Sequence, residues 1–132
     1  MVKIENENCM LCYGQATQRH HMIRRSKCKP LINCEMNIAP LCTQCHHEVH
    51  FGNNSKKLET KLQLVFINKL EMKLLKNEFT KEELKEILQV NANAIESLCK
   101  TMKSGKGVFS RDEVIKACSG GKMITESEVN NE

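Results

Sequence analysis

The sequence predicts an α+β chain: a small metal-stapled unit of two short strands and a helix in residues 1–54, followed by an all-α region that reads as a helix-turn-helix. Three observations carry this expectation. Two Cys-x2-Cys pairs, Cys9 with Cys12 and Cys42 with Cys45, offer a complete tetrahedral set of thiolates. An apolar stripe at four-residue spacing runs through Leu58, Leu62, Phe66, Leu70 and Leu74. Two Ser/Thr-x-x-Glu capping boxes, Thr80 to Glu83 and Ser110 to Glu113, open helices further on.

A chain of 132 residues has the length of one ordinary domain or two small ones. A module of about 40 residues buries too little apolar surface to stand without a staple. Eight cysteines could supply it as disulfides or as metal ligands. The first residues are charged and lack the apolar core of a signal peptide, and no apolar run approaches the ~20 residues of a membrane span. The expectation is a cytoplasmic protein with reduced thiols, no membrane partner and a metal staple. Lysine plus arginine number 20 against 16 aspartates plus glutamates, and Glu126, Glu128 and Glu132 gather in the tail, so the body is more basic than the total. Arg19, Arg24, Arg25, Lys27 and Lys29 surround a histidine pair, which suits a phosphate-rich partner; the plainer alternative is a solvated charged surface.

Residues 1–8 are polar and expected to fray. Cys9-Met-Leu-Cys12 with Gly14 behind it reads as a metal knuckle, completed by Cys42 and Cys45 around a structural Zn2+. Gln15 to Ile23 is a short strand in which His20 and His21 face opposite sides. Arg24 to Glu35 is a loop broken by Pro30, and its Cys28 and Cys34 are incidental thiols in preference to a second metal pair. Met36 to Leu41 is the second strand; it contains Asn37, and Pro40 marks an edge. A helix from Thr43 or Gln44 places His46 and His50 on one face, with His47 about 100° away toward solvent or phosphate, and it stops at Phe51-Gly52.

Residues 55–78 form the connecting helix, whose stripe is widened by Val65, Ile67, Met72 and Leu75 and serves either to cap the core or as a homodimer seam. In residues 79–124 the first capping box opens a helix through Leu84, Ile87 and Leu88 to a turn at Val90-Asn91, and a second helix turns Ile95, Leu98 and Met102 inward. Ser104 to Phe109 reads as a wing, and the second capping box opens a helix ending at Gly120-Gly121. Cys99 and Cys118 are small core residues, and residues 125–132 are an acidic tail expected to be disordered.

Four thiolates close a zinc site, so the histidines are surplus to it and need another task. If His20, His46 and His50 hold a divalent ion, His21 is free to act as a base near neutral pH, and the Asn37 amide can hold a carbonyl or an imidazole from across the hairpin. These residues together resemble the HNH endonucleases, which have a ββα-metal fold and a four-cysteine zinc. The resemblance rests on Cys9-x2-Cys12, on His20-His21-Met22-Ile23 followed by Arg25-Ser26, on Asn37-x2-Pro40-Leu41-Cys42-x2-Cys45-His46, and on His50, and spans about the first 55 residues. It implies that His21 is the general base, Asn37 the asparagine of the catalytic set, and His20, His46 and His50 the ligands of a catalytic ion, commonly Mg2+ or Mn2+. It further implies hydrolysis of DNA, double-stranded, leaving a 5′ phosphate, by a protein of phage or mobile-element type working in the host cytoplasm.

Residues 79–124 are similar to winged or excisionase-like helix-turn-helix modules. That similarity makes Asn91, Asn93, Lys100 and Lys103 candidate DNA contacts along one helix and Lys106 a phosphate contact on the wing, joining Arg19, Arg24, Arg25 and Lys27 beside the histidines. A helical cap that only stabilises the N-terminal unit is the plainer alternative. For the whole chain the competing expectation is a non-catalytic zinc-stabilised DNA-binding regulator or recombination accessory protein.

Overall fold

Strand β1 (Gln18–His21) pairs antiparallel with β2 (Ile38–Leu41), setting His20 opposite Ala39 and His21 opposite Ile38, in a computed structural model that describes residues 7–105 and 107–121. Pro40 is tolerated because its carbonyl points away from β1, where it accepts the Met10 amide at 2.8 Å, so the missing N–H falls on the outer edge. The same bond hangs the first cysteine knuckle on the hairpin.

The loop between the strands is no surface excursion. It contains two short 3-10 turns, Lys29–Leu31 and Glu35–Asn37, and buries Cys28, Leu31 and Cys34. Its backbone polar groups therefore need partners inside the protein. Asn37, fully buried, supplies three: its Oδ1 accepts the Ile23 N–H at 2.8 Å, and its Nδ2 donates to the carbonyls of Ile23 at 3.0 Å and Leu31 at 3.3 Å.

Helix α1 (Thr43–Phe51) begins at Cys42, whose sulfur accepts the Cys45 N–H at 3.3 Å in place of a hydroxyl cap. It ends at Gly52, where a Cβ would lie 2.8 Å from the Glu48 carbonyl oxygen, so a side chain there collides with the last turn. Helix α2 (Ser55–Lys73) follows. Leu62, Phe66, Leu70 and Leu74 of its stripe are buried and Leu58 is half-buried. The expected widening by Met72 and Leu75 does not occur: they are 77% and 85% exposed, Met72 on the outward side of the last turn of the helix and Leu75 beyond its end at Lys73. The stripe packs against α1, the Glu35–Asn37 turn and the last helix, so its buried residues belong to the core of the chain.

The C-terminal region departs from the expected all-α build. Glu78–Thr80 (β3) and Val108–Ser110 (β4) form a second antiparallel sheet with Phe79 opposite Phe109. Each strand runs straight into its capping residue and then a helix, α3 (Lys81–Leu88) after Thr80 and α5 (Arg111–Cys118) after Ser110. The two segments are copies of one strand–cap–helix unit. Both phenylalanines are buried, and pairing the extended backbone on either side satisfies amides that a helix could not yet reach. The first capping box is reciprocal, with Glu83 also paired to Lys76. The second is half-made: Ser110 Oγ accepts the Glu113 N–H at 3.1 Å, but the Glu113 carboxylate accepts the Lys103 N–H at 3.3 Å instead. Between the units lies α4 (Ala92–Lys100), joined to α3 through Gln89 in the left-handed region at φ 54°.

One continuous core joins all of this, from Met22 and Leu31 through Leu62 and Phe66 to Leu84, Leu98 and Val114. Cys34 donates its S–H to the Leu88 carbonyl at 3.2 Å, tying the hairpin loop to the end of α3. Arg111 donates to the Leu74 carbonyl at 2.9 Å and the Glu71 carbonyl at 3.1 Å, which caps the end of α2 from the start of α5. Residues 54 and 78 therefore divide the chain but not its core. Cys118 is buried as expected, while Cys99 is half-buried. The tail at 125–132 lies outside the described residues.

Because Phe66 sits in the shared core, Phe66→Ala should cost about 3–5 kcal/mol. Thermal unfolding followed by calorimetry should still show one transition, and two resolved transitions would mean that the halves do not share their core.

Candidate metal centres and the basic cavity

The two cysteine knuckles meet as the spacing requires. All four sulfurs of Cys9, Cys12, Cys42 and Cys45 lie within 4.8 Å of one another. The Cys12 and Cys42 sulfurs are 3.7 Å apart, matching the ~3.8 Å edge of a tetrahedron with bonds of about 2.3 Å. Backbone amides point at the cluster: the Cys12 N–H reaches Cys9 Sγ at 3.5 Å, as Cys45 N–H does Cys42 Sγ. Burial alone would raise the Cys9 thiol, but amides of Cys12, Cys42 and Leu11 outweigh it and bring it down to about 6, while burial and its neighbouring thiols push Cys45 up. The set could hold a structural metal ion such as zinc. Cys28 and Cys34 are in no such cluster; burial raises both thiols, which leaves them inert packing groups.

Three imidazoles converge beside this centre. His20 projects from β1 toward α1, where helical spacing stacks His46 and His50, and the ligand nitrogens of all three lie within 4.8 Å of one another. The Nε2 atoms of His46 and His50 are 3.1 Å apart, within the ~3.0–3.4 Å expected for two ligands on one ion with bonds of about 2.1 Å. His20 Nε2 is buried with no hydrogen-bond partner among the described residues. A buried nitrogen without a partner, facing two more imidazoles, fits a divalent cation. Burial and then the His50 and His46 rings hold His20 down to about 4, and burial also lowers His46, so both are neutral and able to donate a lone pair at physiological pH.

His21 lies across the strand and lines the same cavity, about 630 Å³, as His20, His46 and His50. Its Nε2 is 2.8 Å from the Ile32 carbonyl oxygen. A carbonyl only accepts, so that nitrogen carries the hydrogen and Nδ1 is left basic. Asn37 does not reach the cavity: it is a positioning residue, holding the backbone of Ile23 and Leu31 and so the loop that presents Ile32 to His21. His47 is exposed against Phe51 and takes no part in the cluster.

The predicted basic rim is present but not equally available. Arg19, Arg24, Arg25, Ser26 and Lys29 line the cavity. Arg19 is held by a bidentate pair to Glu35 at 2.6 and 2.7 Å, and Arg24 is paired with Glu59 on α2. Neither acid was recognisable beforehand, since nothing local links Glu59 to Arg24. Arg25, Lys27 and Lys29 have no ion pair among the described residues.

The C-terminal candidates scatter. Asn91 is the cap of α4, its Oδ1 accepting the Ala94 N–H at 2.8 Å, so its side chain is committed to the helix. Asn93, Lys100 and Lys103 are exposed, Glu96 is neutralised by Lys81, and Lys106 lies outside the described residues. Asn91, Asn93, Lys100 and Lys103 do not line the histidine cavity. Comparison with protein-family models, curated proteins and solved structures gives no match to this chain.

Two outcomes follow from the geometry. Cys42→Ser should release the metal and lower the melting temperature by well over 10 °C, read by metal analysis and circular dichroism; an unchanged metal content would sink the four-thiolate centre. In metal-free protein His20 is neutral when folded and charges more readily when unfolded, near pH 6.5. The unfolded chain then binds the extra proton, so stability should fall as pH drops from about 6.5 to about 4 and level off below. His20→Gln should flatten that slope in urea titrations.

Proposed function

We propose that this chain is a metal-dependent endonuclease of the HNH type that hydrolyses DNA phosphodiester bonds. The observation that carries the reading is the pairing of two kinds of histidine in one cavity. His20, His46 and His50 offer converging ring nitrogens, and His21 has one nitrogen held by a carbonyl and the other free. A module that only stores a structural ion has no use for the fourth imidazole or for a cationic rim.

His20, His46 and His50 would hold a divalent ion, Mg2+ or Mn2+ in the family the chain resembles, which when bound would supply positive charge for the phosphoryl and leaving oxygens. His21 Nδ1 takes a proton from the attacking water as its oxygen bonds to phosphorus. The bond from phosphorus to the 3′ oxygen breaks on the opposite side, giving a 5′ phosphate and a 3′ oxyanion that takes a proton from solvent water to become the 3′ hydroxyl. Ile32 holds the imidazolium through the Nε2 hydrogen bond, so the ring need not reorient during transfer. Arg25 and Lys29, free of acidic partners, hold the flanking phosphates, while Glu35 and Glu59 keep Arg19 and Arg24 in fixed positions at the rim.

Supercoiled plasmid incubated with the protein and Mg2+ or Mn2+ should relax to nicked or linear forms. His21→Ala should slow this by about 10²–10⁴-fold while leaving zinc content unchanged. Full cutting by that variant would remove His21 as the base; binding of DNA with no cutting by the unmodified chain under any divalent ion would assign the protein to the non-catalytic DNA-binding class instead.

A further inference from the structure

A second concavity, about 550 Å³, lies in the seam between the hairpin loop and the last two helices. Four lysines border it: Lys27 and Lys29 from the loop, Lys103 after α4 and Lys116 from α5. All four are exposed and none has an ion pair among the described residues. Its one acid, Glu113, is turned to the Lys103 backbone N–H, which partly satisfies its charge. Four like charges around one groove repel each other, and the fold retains them with a single neighbouring acid. They therefore form a site of net positive potential, with Glu113 the one acid among its described lining residues.

The groove and the histidine cavity share Lys29 on their borders. One wall of the groove is closely packed. Gly120 sits at φ +85°, and a Cβ there would come 2.9 Å from Lys27 Cβ and 3.3 Å from the Lys27 carbonyl oxygen, so only glycine lets the end of α5 approach the loop this closely. No described residue lining the groove carries an aromatic ring, so it offers no platform on which unpaired bases could stack. A surface of point charges without stacking rings suits the regular backbone of a duplex.

From this we infer that the groove of Lys27, Lys29, Lys103 and Lys116 is a phosphate-binding surface that holds duplex DNA, independent of sequence, on one side of the bond to be cut. The inference rests on the nuclease reading for the identity of the polyanion. It relocates the C-terminal region's DNA contact from the exposed face of α4, where Asn91 is a cap and Glu96 is paired, to the seam that α5 and the loop build together. Lys116, on α5, had no motif to mark it in the sequence.

The test is equilibrium binding without divalent ion, by fluorescence anisotropy, of a labelled duplex of arbitrary sequence about three helical turns long. Salt is varied between about 50 and 200 mM, and the full chain is compared with Lys27→Gln/Lys116→Gln. The double variant should bind about tenfold more weakly at low salt, and its log–log salt slope should be shallower by about 2, one phosphate contact for each lysine. Lys27→Arg/Lys116→Arg should restore the slope, and Lys69→Gln/Lys85→Gln, which removes equal charge outside the groove, should leave it as in the parent. Equal slopes for the two glutamine double variants would overturn the groove, as would tighter binding of the single strand than of the duplex. Cutting is scored separately on plasmid. A chain that never cuts yet shows the slope loss overturns the nuclease reading alone, and one that cuts with an unchanged slope overturns the groove alone.

Discussion

The buried side chain of Asn37 decides where most of the chemistry can sit. Two segments leave the hairpin here, the end of β1 at Ile23 and the loop at Leu31, and both would carry unpaired backbone groups into the core without the amide that joins them. An aspartate could accept from the Ile23 N–H but could not donate to the two carbonyls, and a leucine of similar size could do neither. With the amide in place, Ile32 is next in line to hold His21, and the run from Arg24 to Lys29 is displayed on the outside of a loop whose inside is packed. The asparagine shapes the site without entering it.

Charge in this protein is sorted by partner and not by quantity. Arg19 and Arg24 stand closest to the histidines in sequence, yet both are tethered by glutamates brought from elsewhere in the chain. The lysines further from the motif are the ones left without acids. Exposed ion pairs of this kind contribute little to stability, about 0–1 kcal/mol each, so their effect is positional: they stop two long side chains from folding over the cavity they border. The thiolates and imidazoles are sorted likewise. Amides lower Cys9 and so favour its sulfur anion, while burial and neighbouring thiols push Cys45 up and burial keeps His20 uncharged, so Cys9 and His20 are the members of the two centres readiest to meet a cation.

Residues whose spacing is itself the geometry were legible from the sequence. Cys-x2-Cys turns, histidines four apart on a helix, and Thr80 three before Glu83 all appear in the structure where the pattern placed them. Features that depend on distant partners were not. The pairing of Phe79 with Phe109 joins segments thirty residues apart, and three-residue strands carry too little alternation to be told from the lead-in to a helix. Met72 and Leu75 fit the apolar stripe by spacing, yet Met72 is exposed on the last turn of α2 and Leu75 lies past its end. Asn91 reads equally well as a base contact or a cap, and only the Ala94 amide distinguishes the two. The function of the site was inferred from a local constellation, and the long-range lysine groove was invisible because its members come from three separate elements.

The thiol of Cys34 against the Leu88 carbonyl and the guanidinium of Arg111 on the end of α2 have a consequence for how this molecule can be divided. Each crosses from one half of the chain to the other and is satisfied only there. The N-terminal segment cut after residue 54 would keep every metal ligand and lose the helix that covers its apolar floor. Its ligands are a cassette in the sequence but not in the fold, and grafting them onto another scaffold requires a surrogate for α2 to travel with them.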